Sequence, residues 1–205
     1  MKYRLLSALS AIVLGACTVS ATPFTNGSFE TGTAPGLFLT LPSGSTAITN
    51  WVVGGNGVDY IGTFWQAADG TRSVDLNGVD SGSISQTFDT IINMPYNVTF
   101  SLAGNPGGPP TVKSLTVSAA GVTTPFTFDT TGATTAAMNY SPRTFSFTAN
   151  STSTTLTFAS TTTGGFGPAI DNVAVAAAAI PEPAALGLVL SGLLAGALGL
   201  ARRKR

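Results

Sequence analysis

Apolar residues recur at every second position through most of the middle of this 205-residue chain. A period of two places successive side chains on opposite faces of a β-strand, whereas a helix would repeat every 3.6 residues. The intervening positions carry mainly Thr and Ser, and this combination is typical of antiparallel strands that bury a single face. The clearest runs span residues 96–102, 115–119, 126–128, 145–147 and 156–158.

Gly- and Asn-rich turns separate these runs, so the pattern predicts about ten short strands, and no helix, within residues 22–179. Strands of that number form a two-sheet antiparallel sandwich, such as a jelly roll, or a barrel, and periodicity does not distinguish the two. We expect the all-β sandwich. A hydrophobic fraction of 43% is enough for a core and excludes disorder, although only 9% of the residues are charged.

The titratable side chains exclude several classes of function. The chain contains no histidine, so a Ser–His–Asp or Cys–His catalytic site cannot be built. Residues 22–180 hold three basic and eight acidic side chains, a formal charge of −5. Such a body is a poor match for phosphate backbones, and nucleic acid is not an expected partner.

The N-terminus has the pattern of a secretory signal peptide over residues 1–21. Lys2 and Arg4 precede an apolar run at 5–16, and Val19-Ser20-Ala21 is a small-residue cleavage site. Cleavage in front of Cys17, as in a lipoprotein, is the alternative. We expect the cut after Ala21, which leaves residues 22–179 as the folded domain.

The C-terminus predicts one membrane crossing. Residues 184–201 are eighteen positions without a charge, enough for a helix of about 27 Å. The basic tail 202–205 would remain in the cytoplasm under the positive-inside bias, with the body on the exported side.

Pro181, Glu182 and Pro183 stand directly before this predicted transmembrane helix. Pro-Glu-Pro, an Ala/Gly/Leu helix and a terminal arginine cluster, over residues 180–205, resemble the PEP-CTERM sorting signal of Gram-negative bacteria. The resemblance implies processing by an exosortase and transfer from the inner membrane to the cell envelope, cell surface or extracellular matrix, commonly beside exopolysaccharide production. A plain tail anchor with a proline-rich stalk is the alternative.

The body carries a second resemblance. Its motifs, in order, resemble the choice-of-anchor C family of bacterial surface proteins, which is similar to a plant cell-wall family of galactose-binding-like sandwiches. The resemblance implies a fold and a location but no substrate. The motifs are Thr-Asn-Gly-Ser-Phe-Glu at 25–30, Gly-Val-Asp-Tyr-Ile at 57–61, Ser-Val-Asp-Leu-Asn-Gly at 73–78, Leu-Ala-Gly-Asn-Pro at 102–106 and Ala-Ile-Asp-Asn-Val at 169–173.

In carbohydrate-binding jelly rolls of this kind, the opening and closing motifs share a calcium ion. The resemblance places the metal ligands at Asn26, Glu30 and Asp171, and hard oxygen donors of this type suit Ca²⁺. Such an ion would be structural. The alternative is that Glu30 and Asp171 only accept hydrogen bonds from turn amides.

The densest aromatic stretch of the body gives the candidate ligand-binding residues Trp65, Tyr60, Gln66 and Asp69. Sugar rings stack their C–H faces on aromatic side chains, and their hydroxyls need carboxylate and amide partners. Trp51 lies in a hydrophobic run and is expected in the core. Trp65 ends a strand before a polar turn, so we expect it to be exposed.

These features predict an exported surface or matrix protein that is not an enzyme and binds exopolysaccharide or cell-wall glycan. One alternative is a structural or adhesive protein that acts through protein–protein contacts. A glycan hydrolase is a third, although no spacing selects a catalytic pair among the eight acidic residues.

Overall fold

The computed structural model describes residues 22–178, which form eleven strands in two facing antiparallel sheets. The strands are β1 (Phe38–Leu41), β2 (Val52–Gly55), β3 (Val58–Ile61), β4 (Ser73–Asp75), β5 (Gly82–Asp89), β6 (Pro95–Gly104), β7 (Val112–Ala119), β8 (Val122–Asp129), β9 (Ser141–Thr148), β10 (Ser153–Ser160) and β11 (Pro168–Ala177).

The predicted sandwich is confirmed. One sheet has six strands in the order β1-β3-β4-β11-β6-β9, and the other has five in the order β2-β5-β10-β7-β8. Each run of period-two alternation coincides with a strand from β6 to β10. The apolar positions of that alternation point inward, as Val98, Leu115 and Leu156 show by being wholly buried. The pattern therefore predicted both the strands and their buried face.

Aromatic side chains fill the space between the sheets. Trp51 is wholly buried, as expected, and its ring centroid lies 5.7 Å from that of Phe24 and 6.3 Å from that of Phe158. Its indole Nε1 donates to the carbonyl oxygen of Asn26 at 2.9 Å. The indole thereby satisfies its polar atom and ties the N-terminal segment to the core.

The six-stranded sheet is covered on its outer face as well. Successive side chains of a strand point to opposite faces, yet Leu102 and Ala103 of β6 are both wholly buried, as are Ala169 and Ile170 of β11. Contacts to this face come from the segment 62–72, which bonds Ser73 and Asp171, and from 161–167, which bonds Asp75. Residues of 130–140 border a cavity together with Ser101 of β6. Candidate binding residues lie where these segments meet the sheet.

The signal peptide, the Pro-Glu-Pro motif, the predicted transmembrane helix and the basic tail fall outside the described residues. Across positions 22–178, the structure contains no helix that is both long and apolar enough to span a membrane.

Candidate functional site

Trp65 is buried, so the expectation that it is exposed is wrong. Only 5% of its surface is accessible, and its Nε1 donates to the Ser73 hydroxyl at 2.8 Å. The segment 62–72 folds back over β4, and the indole covers that strand. Phe64 beside it remains 41% exposed. A polar turn after an aromatic pair therefore did not reveal which ring faces solvent.

Tyr60 is also buried, on the core side of β3, and cannot serve as a sugar platform. Its hydroxyl donates to the carbonyl oxygen of Phe29 and accepts a bond of 2.6 Å from the Arg72 guanidinium. The same guanidinium lies 5.4 Å from the Tyr60 ring centroid. Burial is the main cause of the raised pKa of Tyr60, which keeps the phenol protonated. Tyr60 thus has a structural role.

Gln66 and Asp69 are exposed but do not lie at one site. Gln66 lines a polar cavity of about 400 Å³ that is also bordered by Ser101, Asn139 and Tyr140. The Asp69 carboxylate accepts a bond of 2.6 Å from the Ser28 hydroxyl and is not among the residues that line this cavity. The structure therefore separates the four predicted ligand-binding residues.

The predicted calcium ligands are occupied by backbone groups. The side-chain oxygen of Asn26 accepts from the Thr31 amide at 3.0 Å. One oxygen of Glu30 accepts from the amides of Thr71 and Arg72, each at 2.8 Å. This is the amide-bonding role considered above as the alternative.

Asp171 has the same role on the other side of the segment 62–72. Its carboxylate accepts from the amides of Ala68 and Asp69 at 2.7 and 2.9 Å. A β-bulge after it, with Asn172 at a φ of 49°, turns β11 at this point. Burial raises the pKa of Asp171 to about 7, although these amides oppose the shift.

Each of these three side chains accepts at least one backbone amide hydrogen bond. Within residues 22–178, no group of three or more His, Cys, Asp or Glu side chains could hold a metal. Calcium binding stays a prediction. The structure shows that Glu30 and Asp171 hold the segment 62–72 through hydrogen bonds, at residues 71–72 and 68–69 respectively.

Three exposed aromatic rings surround a small depression at the outer face of the six-stranded sheet, which we call the aromatic depression. Phe38 begins β1, Phe64 follows β3 and Phe166 precedes β11, and between 40% and 45% of each is exposed. The ring centroids of Phe38 and Phe64 are 5.4 Å apart in an edge-to-face arrangement. The cavity has a volume of about 110 Å³, and its remaining lining residues are Asp59, Ile61, Trp65, Asn105 and Gly165.

The loop between β6 and β7 holds Phe166 in place. The ring packs so closely on Gly108 that a Cβ there would lie 2.4 Å from two of its carbon atoms. Lys113, wholly buried, donates from Nζ to the Gly108 carbonyl at 2.7 Å, and its ammonium lies 5.9 Å from the Phe166 ring centroid. A side chain at position 108 would therefore displace the Phe166 ring.

Two carboxylates lie side by side beneath the rings. Asp59 of β3 and Asp75 of β4 are paired residues of neighbouring strands. Asp59 is half-buried and accepts a bond of 2.6 Å from the Thr40 hydroxyl at Oδ1, and burial raises its pKa. Asp75 is wholly buried, with Asn105 donating to its Oδ2 at 2.8 Å. Of the two, only Asp59 lines the aromatic depression.

Sequence reasoning missed Phe38, Phe166, Asp59 and Asn105. They are distributed over residues 38–166. Asp59 and Asn105 lie in the motifs at 57–61 and 102–106, but the motifs assigned them no role in binding. A signal for Phe166 was the Gly-Gly-Phe-Gly sequence at 164–167, because an aromatic residue between glycines in a turn is a candidate for exposure.

Solved structures agree with this architecture. TmCBM61, solved in complex with β-1,4-galactotriose, matches with a TM-score of 0.50 and 19% identity, covering 78% of this chain and 100% of that one. A family 35 carbohydrate-binding module from Clostridium thermocellum matches with a TM-score of 0.48 and 13% identity, covering 69% and 98%. The first likeness confirms the carbohydrate-binding-module-like jelly roll.

Sequence comparison gives a relative and a family. Halomucin of Haloquadratum walsbyi is 33% identical over 163 residues, which is 76% of this chain but only 2% of Halomucin. Residues 22–176 match the family described as "Protein of unknown function (DUF642)". The sorting signal and the choice-of-anchor C resemblance stay predictions. Because the match spans nearly all of the described sandwich, the chain belongs to the DUF642 family.

Proposed function

We propose that this protein binds a glycan, without catalysis, through the aromatic depression. The observation that carries the proposal is three exposed rings, Phe38, Phe64 and Phe166, around one accessible carboxylate, that of Asp59. A sugar ring has an apolar C–H face and a rim of hydroxyls, so it matches aromatic rings beside a hydrogen-bond acceptor. Shallow sites of this composition bind ligands by stacking and a few oriented polar contacts.

The fold supports this proposal by analogy. TmCBM61, the structure with β-1,4-galactotriose, shares the jelly roll. A shared fold does not transfer a ligand, because function depends on the residues of the site. The residues of the depression therefore carry the proposal, and TmCBM61 is an example of this fold with a bound sugar.

The arrangement of the carboxylates favours binding over hydrolysis. Hydrolysis of a glycosidic bond generally requires two carboxyl groups that both reach the substrate. Asp59 reaches the depression, but its neighbour Asp75 is closed off by the Asn105 side chain and by the Gly167 amide, which donates to Oδ1 at 3.1 Å. A ligand at the aromatic depression would contact a single acid.

The place of action follows from the sequence predictions. A signal peptide, an exosortase signal and a transient membrane helix would deliver the body to the cell surface or extracellular matrix. Its glycan would then be exopolysaccharide or cell-wall glycan. Release of the body from membranes by an exosortase, and its retention when Pro181–Pro183 are replaced by alanine, would support this delivery.

Affinity electrophoresis through gels that contain single polysaccharides tests the binding. We expect retardation by at least one polysaccharide and a loss with Phe64→Ala of about 5- to 30-fold in Kd, the effect of removing a ring worth about 1–2 kcal/mol. Leu37→Ala is the matched control, since Leu37 is 63% exposed and does not line the depression.

Binding that survives Phe64→Ala and Phe38→Ala would move the site elsewhere. If no polysaccharide retards the protein, glycan binding is wrong, and self-association measured by sedimentation would support the adhesive alternative.

A further inference from the structure

We infer that the aromatic depression binds uncharged sugar units and rejects glycans that carry carboxylate or sulfate groups. This inference rests on the proposed function and names its substrate class. It follows from the lining of the depression, in which the one ionisable side chain, that of Asp59, is acidic.

Asp59 is the ionisable residue in the lining of the aromatic depression. Among the described residues, Thr40 is its only hydrogen-bond donor and binds Oδ1, so Oδ2 is left to accept from a ligand. A carboxylate oxygen accepts hydrogen bonds but donates none when ionised. It therefore suits a sugar hydroxyl, whereas an anionic group on the sugar would meet a like charge.

Asp80 adds a second negative charge at the rim. Its Oδ1 accepts from the amide of Gly164 at 2.8 Å, and the following residue, Gly165, lines the depression. The amides of Ser81 and Gly164 hold the pKa of Asp80 below its usual range, so it stays ionised at neutral pH. Its charge would repel an anion at the Gly165 side of the depression.

No basic side chain of the described residues lines the depression. Arg72 is engaged with the Tyr60 hydroxyl, and neither it nor Arg143 lines the depression. Lys113 is wholly buried behind Phe166, donates to the Gly108 carbonyl and interacts electrostatically with Asp75. In the part of the chain that the structure describes, no Lys or Arg reaches the lining.

The expected discrimination follows from Coulomb's law. Two like charges about 6 Å apart, at an effective dielectric constant between about 80 and 20, weaken binding by roughly 3- to 100-fold. We expect about tenfold at low ionic strength, and less at about 1 M salt, where the Debye length falls to about 3 Å.

The test uses pairs of polymers that differ only in charge. β-1,4-Galactan, β-1,4-glucan and mannan are each compared with the same polymer after partial oxidation of C6 to the carboxylate, by affinity electrophoresis in low salt and in 1 M salt. We expect a neutral polymer to bind, its oxidised form to bind about tenfold more weakly in low salt, and the gap to narrow in high salt.

Equal or tighter binding of the oxidised forms would overturn the inference and leave glycan binding intact. If no polymer of either kind binds, the proposed function itself fails.

A pair of isosteric variants assigns the discrimination to the site. Asp59→Asn should reduce the neutral-to-oxidised ratio to about threefold or less, because the amide keeps the shape and removes the charge. Asp89→Asn is the matched control, because Asp89 ends β5, a strand of about 23 Å whose other end follows Asp80. This substitution removes one negative charge and should leave the neutral-to-oxidised ratio unchanged. An unchanged ratio with Asp59→Asn, in a variant whose unfolding is cooperative, would overturn the inference.

Discussion

Asp75 should make this protein more stable in mild acid than at neutral pH. Burial raises the pKa of its carboxyl to about 7, against the hydrogen bonds from Asn105, Asn77 and Gly167 that favour the ionised form. In the unfolded chain the same group titrates near its ordinary pKa of about 3.9. The folded state therefore binds the proton more tightly, and its stability falls as the pH rises through the folded pKa.

The size of the effect follows from the two pKa values. A difference of about three units corresponds to about 4 kcal/mol of unfolding free energy when Asp75 is protonated in both states. Between pH 8 and pH 5 the expected gain is about 3 kcal/mol, or about 6–12 °C in Tm for a domain of this size. Asp171, whose pKa burial also raises to about 7, adds in the same direction.

The variant Asp75→Asn isolates this contribution. An amide cannot titrate, so the part of the slope between pH 5 and pH 8 that belongs to Asp75 should disappear. The new amide would place an N–H₂ group against that of Asn105, which costs about 1–3 kcal/mol. We therefore expect the variant to have a lower free energy of unfolding than the natural protein at pH 5. At pH 8 this difference in unfolding free energy should be smaller.

Urea unfolding at four pH values between 5 and 8, for the natural protein and the variant, measures this difference. Asp129→Asn is the matched control. Asp129 is exposed and its hydrogen bonds to Thr131 lower its pKa, so it stays ionised throughout this window and should leave the slope unchanged. A slope that is the same in Asp75→Asn and the natural protein would refute the assignment.

Two further predictions follow from the packing of the site. If the predicted calcium ion binds at Asn26, Glu30 and Asp171, Tm should rise by several degrees with calcium and fall back with a chelator, whereas a change within about 1 °C would show that their role is limited to the amide hydrogen bonds. Gly108→Ala should push Phe166 out of position, since the added Cβ would lie 2.4 Å from its ring, and weaken glycan binding by about fivefold or more. Retained affinity would show that Phe166 does not contact the ligand.

Local pattern was sufficient for the strands and the core. Alternation along β6 predicted both its extent and the burial of Val98 and Leu102, because the direction of a side chain in a strand depends only on its position within that strand. The burial of Trp51 followed in the same way from its hydrophobic surroundings. These local regularities predicted an all-β domain, and the resemblance to the choice-of-anchor C family implied the sandwich.

The candidate site depends on contacts that span the chain. Asp171 binds the amide of Ala68 across a separation of 103 residues, and this bond helps to hold the segment in which Trp65 turns inward and Phe64 outward. The sequence shows two adjacent aromatic residues there and does not indicate which of the two side chains is buried.

The sequence by itself determined an all-β domain and the buried face of most of its strands, because period-two patterning acts between neighbours along the chain. The order of the strands decided the rest. By placing β4 between β3 and β11, it brings Asp59 beside Asp75 and the turn with Phe166 next to both. Which strands pair depends on how whole faces pack, so the aromatic depression exists only in the tertiary structure.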